Sequence, residues 1–204
     1  AGFDFDAVLD GELLIRRGGA VQDFNTLQQR LNRKSVNAKL MAEFPAFIRG
    51  YDLLALGEED LRTLTFDERR AALVAFVRAH PLAPIDLSEM IAFDTWVDLS
   101  AARADPKHGG AGVDAEAVEG VMIKRRDAPY LAGRPKGYWF KWKRDPMVID
   151  AVLMYAQRGA GKRSSFYSDY TFGVWTEAGE LTPVGKAYFG FTDEELIELD
   201  KFVR

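Results

Sequence analysis

The sequence contains no cysteine and only two histidines, His80 and His108. Without cysteine it has no disulfide, no thiol nucleophile and no thiolate metal site, and two histidines are too few for a histidine-rich metal centre. No apolar run approaches the ~18 residues that cross a bilayer, and the first residues do not resemble a signal peptide. Any chemistry must therefore use carboxylates, lysines, hydroxyls and a hard cation such as Mg²⁺. We expect a cytoplasmic protein.

Charge of both signs is present but unevenly distributed. Between Lys124 and Arg163 there are eleven Lys or Arg and three acidic residues, a local balance of +8. The whole chain carries −4, which leaves −12 for the rest. Such a polarised distribution indicates a polyanionic ligand on one face.

The apolar patterning predicts an α+β protein. The chain enters a strand almost at once, which suggests that further sequence precedes it. Three helices are predicted in this part of the chain. One lies at 25–34, a second begins at the capping box formed by Thr65 and Glu68, and a third lies at 95–104. A flexible loop is predicted at 105–112. After residue 145, alternating segments at 147–156, 168–176 and 180–190 are typical of a small antiparallel sheet or barrel. Thr192 and Glu195 cap a last predicted helix.

The stretch LDGEL is the first candidate site. Asp10 and Glu12 project to one side of a strand, and Gly11 between them lets a ligand approach the backbone. A solvated strand end is the alternative interpretation, because the tripeptide DGE is common.

The stretch YWFKWK presents two cations on one predicted strand. Trp139, Lys141 and Lys143 share one face, and we expect Phe140 and Trp142 on the other face to anchor the strand in a core. Two fixed lysines suit the phosphates of a nucleotide, although they could instead simply face water.

Two further stretches carry charge that could bind a ligand. Glu119 at the start of VEGVMIK is either a metal ligand or an exposed strand end. GAGK at 159–162 is not a phosphate-binding P-loop, because Ala156 replaces the first glycine and Arg163 replaces the required Ser or Thr. It is better interpreted as a basic, flexible turn.

The order of these pieces resembles the covalent nucleotidyltransferase superfamily, and within it the bacterial type of ATP-dependent DNA ligase, over essentially all 204 residues. VLDGEL resembles motif III of that family, YDLLALGEEDLR motif IIIa, VEGVMIK motif IV and WFKWK motif V. The tract KRRDAPYLAGRPKGYWFKWKRDP is especially similar to the bacterial enzymes.

The resemblance implies the later part of an adenylation (nucleotidyltransferase) domain with antiparallel sheets in residues 1–144. A C-terminally incomplete OB-fold DNA-binding β-barrel would follow in 145–204, with a hinge at the junction. In that family a lysine attacks the α-phosphate of ATP, AMP passes to the 5′-phosphate of nicked double-stranded DNA, and the 3′-hydroxyl seals the strand. The implied cofactors are ATP and Mg²⁺ or Mn²⁺. The implied setting is a monomeric enzyme of DNA repair, recombination or replication, at the nucleoid of a bacterial cytoplasm.

The resemblance also implies roles for individual residues. Tyr51 would stack on adenine, with Asp10 and Glu12 on the nucleotide beside it. Glu119, together with Glu12, would serve the metal, and Lys141 and Lys143 would hold the α-phosphate. The implied DNA contacts, mostly to phosphate, come from the basic window: Arg125, Arg126, Arg158, Lys162 and Arg163.

The chain departs from the family pattern in two motifs. The nucleophilic lysine of the family lies in K-x-D-G, whereas Asp10-Gly11 is preceded by Val8 and Leu9. A basic motif expected at the end of the barrel domain is also absent. We therefore expect a piece of a ligase that is inactive alone. A non-catalytic nucleic-acid-binding fragment, or an RNA ligase or capping-type nucleotidyltransferase, remains an alternative, although the match through the barrel argues against capping.

Overall fold

The computed structural model describes residues 3–31, 33–133, 135–146, 148–188 and 190–204. Asn32, Met147 and Phe189, which belong to predicted segments, lie outside the described residues. The chain forms two compact units, Ala1–Asp145 and Pro146–Arg204. Antiparallel sheets combined with helices confirm the predicted α+β class. The interpretation of the units as adenylation and OB-fold domains stays a prediction. In the described part of the chain, each helix is too short or too polar to cross a lipid bilayer.

The main sheet of the first unit is built on two long antiparallel strands, β1 (Ala7–Arg17) and β3 (Ala46–Leu56). Its shorter strands are β2 (Ala20–Val21), β4 (Glu59–Asp60) and β5 (Ile85–Leu87). β2 and β4 extend the sheet antiparallel, whereas β5 pairs parallel with β3. The register shifts twice, once between Val8 and Leu9 and once between Asp10 and Gly11.

Helix α3 (Phe66–Ala79) packs on this sheet and closes the core. The predicted capping box is present, since Thr65 and Glu68 bind each other's backbone N–H groups. The core contains Leu53, Leu61, Leu73 and Phe76, all essentially buried. Each such side chain stabilises the fold by about 1.5–3 kcal/mol relative to exposure, so α3 is fixed against β3.

Among its described residues, the first unit also contains three smaller α-helices: α1 (Phe24–Gln28), α2 (Ala38–Glu43) and α4 (Trp96–Ala104). The predicted helix at 25–34 is thus shorter than expected. The predicted loop at 105–112 is wrong, because a π-helical turn (Lys107–Ala111) and a 3-10 turn (Gly112–Ala117) occupy it. The Asp105 carboxylate accepts hydrogen bonds from the backbone N–H groups of Lys107 and His108, which stabilise the first of these turns.

A separate two-stranded sheet carries the last two predicted motifs of this unit. β6 (Gly120–Lys124) pairs antiparallel with β7 (Trp139–Lys143). Gly120 has φ +152°, and a Cβ there would lie 2.4 Å from the carbonyl oxygen of Trp142. Only glycine fits this start of β6, because any side chain would push β7 away.

In its described residues, the second unit contains a three-stranded antiparallel sheet and one α-helix. β9 (Tyr167–Trp175) lies between β8 (Val152–Arg158) and β10 (Leu181–Ala187). Helix α5 (Asp193–Val203) begins at the predicted capping box of Thr192 and Glu195. The Asp200 carboxylate accepts a hydrogen bond from the backbone of Tyr167, which ties α5 to β9.

Candidate functional site

Tyr51 occupies a bulge in β3. Asp10 pairs with Asp52 and Gly11 with Gly50, so Tyr51 is the extra residue between them. A bulge of this kind re-aims a side chain and is frequent beside active sites. Burial raises the pKa of the Tyr51 hydroxyl, and the nearby charges of Asp10 and Glu12 raise it further. Tyr51 and the two carboxylates predicted to serve the nucleotide therefore lie together.

Asp10 is oriented by a residue from a distant loop. The Tyr130 hydroxyl donates a hydrogen bond to Asp10 Oδ2 at 3.2 Å. The structure explains the glycine at position 11 by strand pairing and not by the predicted access of a ligand. A Cβ on Gly11 would lie 2.8 Å from the carbonyl oxygen of Arg49, so the close pairing of β1 with β3 requires glycine there.

A buried ion pair supports the Tyr51 bulge from inside the unit. The Arg69 guanidinium donates from Nε and Nη2 to the Asp52 carboxylate at 2.8 and 2.9 Å, and both side chains are 0% exposed. Arg69 Nη1 also donates to the carbonyl oxygens of Leu64 and Ala128. The guanidinium thereby joins β3, α3 and the loop that follows β6.

Lys124 is a site residue to which the sequence analysis gave no role. Its Nζ lies 4.9, 5.1 and 5.0 Å from the ring centroids of Tyr51, Phe66 and Trp139, and 4.0 Å from Asp52 Oδ2. The side chain is only 7% exposed, and Nζ makes no hydrogen bond to the described protein atoms. Burial lowers the pKa of Lys124, while Asp52 opposes that shift. Antiparallel pairing of VEGVMIK with YWFKWK, which sets Lys124 opposite Trp139, is the signal that could have identified it.

The burial of Lys124 predicts a pH dependence of stability. Because its folded pKa lies below the usual 10.5, the unfolded chain binds more protons between those two values, so the lysine's contribution to stability rises with pH in that window. The difference in free energy of unfolding, wild type minus Lys124→Met, should therefore increase from about pH 7 to about pH 9.5. Urea denaturation of both proteins at both pH values measures it. A difference that stays constant or falls would contradict the lowered pKa.

The lysines predicted to hold phosphate lie on the same face of the small sheet as Lys124. Lys141 pairs with Met122, Lys143 with Gly120 and Trp139 with Lys124. Directly opposed residues project to the same side, and alternate residues along a strand are about 7 Å apart. Lys124, Lys141 and Lys143 thus form a row of cations that begins beside Tyr51. Phe140 and Trp142 were both expected to be buried in a core. For Phe140 this prediction is wrong, because that residue is 53% exposed.

Glu119 is close to one of these lysines. Its Oε2 lies 3.3 Å from Lys143 Nζ, and both side chains are largely exposed. No group of three His, Asp or Glu side chains that could hold a metal occurs among the described residues. Mg²⁺ is commonly bound by one or two carboxylates together with substrate phosphates and water. Glu119 fits that kind of site and does not fit a cage made of protein ligands alone.

The residues predicted to contact DNA differ in their surroundings. Three of the arginines face carboxylates: Arg125 faces Asp127 at 2.6 Å, Arg126 faces Asp67 at 2.8 Å and Arg163 faces Asp193 at 3.7 Å. In the second unit, Arg158 lies over the Tyr167 ring, and Lys162 has no ion pair within the described structure. Exposed ion pairs contribute about 0–1 kcal/mol, so an arriving phosphate can displace them.

Comparison with known proteins gives consistent matches. A model described as "ATP dependent DNA ligase domain" matches residues 3–143. A probable DNA ligase of Koribacter versatilis is 33% identical over 215 residues, which cover 98% of this chain and 37% of that protein. DNA ligase 1 of Korarchaeum cryptofilum is 31% identical over 194 residues, with 93% and 33% covered. The chain spans about a third of the length of these relatives.

The fold also matches solved structures. A structure from a structure–function analysis of Lig E DNA ligases aligns with a TM-score of 0.62 and 21% identity. The alignment covers 93% of this chain and 64% of the other. At this identity the likeness concerns the fold alone.

Proposed function

The chain belongs to the family of ATP-dependent DNA ligases, and from this premise we propose that it carries the nucleotide-binding part of an enzyme that seals nicks in double-stranded DNA. In this proposal ATP is the AMP donor, and Mg²⁺ or Mn²⁺ accompanies its phosphates. The enzyme acts in DNA repair, recombination or replication at the nucleoid. The observation that carries the proposal is the meeting of the bulged Tyr51, two carboxylates and a row of lysines.

Tyr51 provides the stacking surface for adenine. Its half-buried ring is fixed by the bulge and by the Lys124 ammonium, and a rigid aromatic ring stacks at little cost in conformational entropy. Asp10, held by Tyr130, and Glu12 lie beside that ring and offer acceptors to the ribose hydroxyls. These residues bind and orient the nucleoside half of ATP.

Lys141 and Lys143 hold the α-phosphate. Nucleotidyl transfer depends mainly on positioning and on stabilising charge that develops around phosphorus, which two cations on a rigid strand can do. Lys143 is paired with Glu119 in the free chain, so phosphate binding releases the carboxylate. Glu119 then becomes available to the divalent cation, which when bound neutralises phosphate charge.

Removing either phosphate-binding lysine should weaken binding of phosphorylated ligands only. We expect Lys141→Ala and Lys143→Ala each to raise the Kd for ATP with Mg²⁺ by about tenfold or more, since a hydrogen bond to a charged group contributes roughly 1.5–3 kcal/mol. Binding of adenosine should be unchanged. Isothermal titration calorimetry of the 204-residue chain with ATP, AMP and adenosine measures both.

Two control variants make this test specific. Lys39→Ala removes the same charge from the exposed helix α2 and should leave all three affinities unchanged. Tyr51→Ala should weaken ATP, AMP and adenosine alike, because it removes the surface on which the base stacks. Equal ATP affinity in the wild type and both strand variants would rule out the phosphate role.

Lys162 should contribute about one released counterion to DNA binding. It lies in the turn after β8 without an ion pair in the described structure, so Lys162→Ala removes an unpaired cation from the proposed DNA surface. The slope of log K for a nicked duplex against log salt should flatten by about 0.9. Lys186→Ala, on the opposite edge strand β10, is the charge-matched control and should keep the wild-type slope. An unchanged slope for Lys162→Ala would remove this turn from the DNA surface.

A further inference from the structure

Arg103, in the last turn of α4, contacts the end of β7 and the residue Asp145 beyond it. Its Nη1 donates to the carbonyl oxygen of Lys143 and, at 3.2 Å, to Asp145 Oδ1, while Nη2 donates to Asp145 Oδ2 at 3.4 Å. Its Cζ lies 4.9 Å from the ring centroid of Trp142. One guanidinium therefore contacts the ring of Trp142, the backbone of Lys143 and the carboxylate of Asp145.

The other side of this segment is fixed by the beginning of β6. The Arg144 amide donates to the carbonyl oxygen of Glu119 at 2.8 Å, and the Lys143 ammonium reaches the Glu119 carboxylate. Gly120 allows the close approach of the two strands. Lys143 is thus held between β6 on one side and Arg103 on the other.

The ion pair with Asp145 does not account for the burial of Arg103. Its side chain is 11% exposed, whereas that of Asp145 is 88% exposed, so the ion pair between them is largely in water and contributes little. The Nε of Arg103 is buried and has no acceptor among the described residues. A buried donor without an acceptor is a cost that an aliphatic side chain would avoid.

We propose that Arg103 is a positioning residue for Lys143. By binding the Lys143 carbonyl and covering Trp142, its guanidinium fixes the backbone from which the Lys143 ammonium reaches the α-phosphate. This inference rests on the proposed function, in which Lys143 is a phosphate ligand. When phosphate replaces Glu119 as its partner, only the side chain of Lys143 has to move. A lysine at position 103 lacks the planar fork and cannot bind the carbonyl and the carboxylate together.

The test is the effect of Arg103→Ala on ATP affinity in three backgrounds of the 204-residue chain. Coupled neighbours show interaction energies that correspond to roughly twofold to 150-fold changes in Kd, and a contact that acts through the backbone of one phosphate ligand should fall in the lower part of that range, at about threefold to tenfold. We expect such a rise in Kd for ATP with Mg²⁺ in the wild-type and Lys141→Ala backgrounds, and none in the Lys143→Ala background. Arg103→Lys should behave like Arg103→Ala. If Arg103 acted only as a distant positive charge, Arg103→Lys would keep wild-type affinity and the loss would persist without Lys143.

A second measurement needs no nucleotide. In the ligand-free chain, hydrogen exchange at the Arg144 amide should become at least about threefold faster in Arg103→Ala than in Val97→Ala, an exposed position on the same helix. Unchanged exchange would overturn the proposal. If Lys143→Ala weakens ATP binding and Arg103→Ala does not, the positioning role alone is wrong. If neither lysine variant affects ATP binding, the proposed function fails and the positioning role fails with it.

Discussion

Replacing Arg69 by methionine should lower the free energy of unfolding by about 3–5 kcal/mol, because it leaves the Asp52 carboxylate buried without its partner. Both side chains are fully buried, and the guanidinium makes two hydrogen bonds to Asp52 and two to backbone carbonyl oxygens. Methionine preserves much of the volume and none of those donors. Urea denaturation, with the slope checked for a two-state transition, measures the loss.

Two further variants separate the ion pair from general damage to α3. Arg78→Met, at an exposed position of the same helix, should change stability by no more than about 0.5 kcal/mol. Arg69→Met combined with Asp52→Leu should recover part of the loss, because a buried pair replaced on both sides by apolar groups is often tolerated. A loss below about 1 kcal/mol in Arg69→Met would contradict this prediction and would mean that water or the Lys124 ammonium compensates the Asp52 charge once the arginine is gone.

The same pair links stability to the candidate site. Asp52 follows the bulged Tyr51 directly and lies 4.0 Å from Lys124 Nζ. If Arg69 is removed, Lys124 is the nearest remaining cation and is drawn toward Asp52, away from the ring of Tyr51. Adenosine binding should then weaken together with stability in Arg69→Met.

Features set by neighbouring residues could be predicted from the sequence. The capping boxes of Thr65 with Glu68 and of Thr192 with Glu195 depend on residues three apart, and both are present. The common face of Lys141 and Lys143 follows from the period of a strand. The family resemblance rested on the order of the motifs, and the matched domain confirms the family.

Features that depend on pairing between distant segments could not be predicted in this way. The bulge at Tyr51 exists because β1 and β3 pair with a shifted register, and no local pattern specifies that shift. The surroundings of Lys124 combine residues from β3, α3 and β7. From the sequence alone, Lys124 is therefore only one of several basic residues in the window that begins with it. The glycines at Lys107–Ala111 predict a loop, whereas the carboxylate of Asp105 binds the backbone there and supports a helical turn.

The chain should form no covalent adenylate when incubated alone with ATP and Mg²⁺. None of its lysines lies in a K-x-D-G motif. Lys124 is the strongest alternative nucleophile, because its lowered pKa favours the neutral amine. Its Nζ is nevertheless enclosed by three aromatic rings at about 5 Å, with 7% of the side chain exposed, so we expect it not to reach phosphorus for in-line attack. Lys141 and Lys143 are expected to hold the phosphate from the side, away from the in-line position.

The measurement is incubation of the 204-residue chain with α-labelled ATP and Mg²⁺, followed by a search for acid-stable label on the protein. An intact ATP-dependent ligase under the same conditions is the positive control, and calorimetric binding of ATP to the chain separates a missing nucleophile from a missing site. We expect binding without label. A label mapped to Lys124 and abolished by Lys124→Met would show that the amine escapes its aromatic surroundings during the reaction. A label on Lys141 or Lys143 would instead assign the nucleophile to the strand that we propose only holds the phosphate.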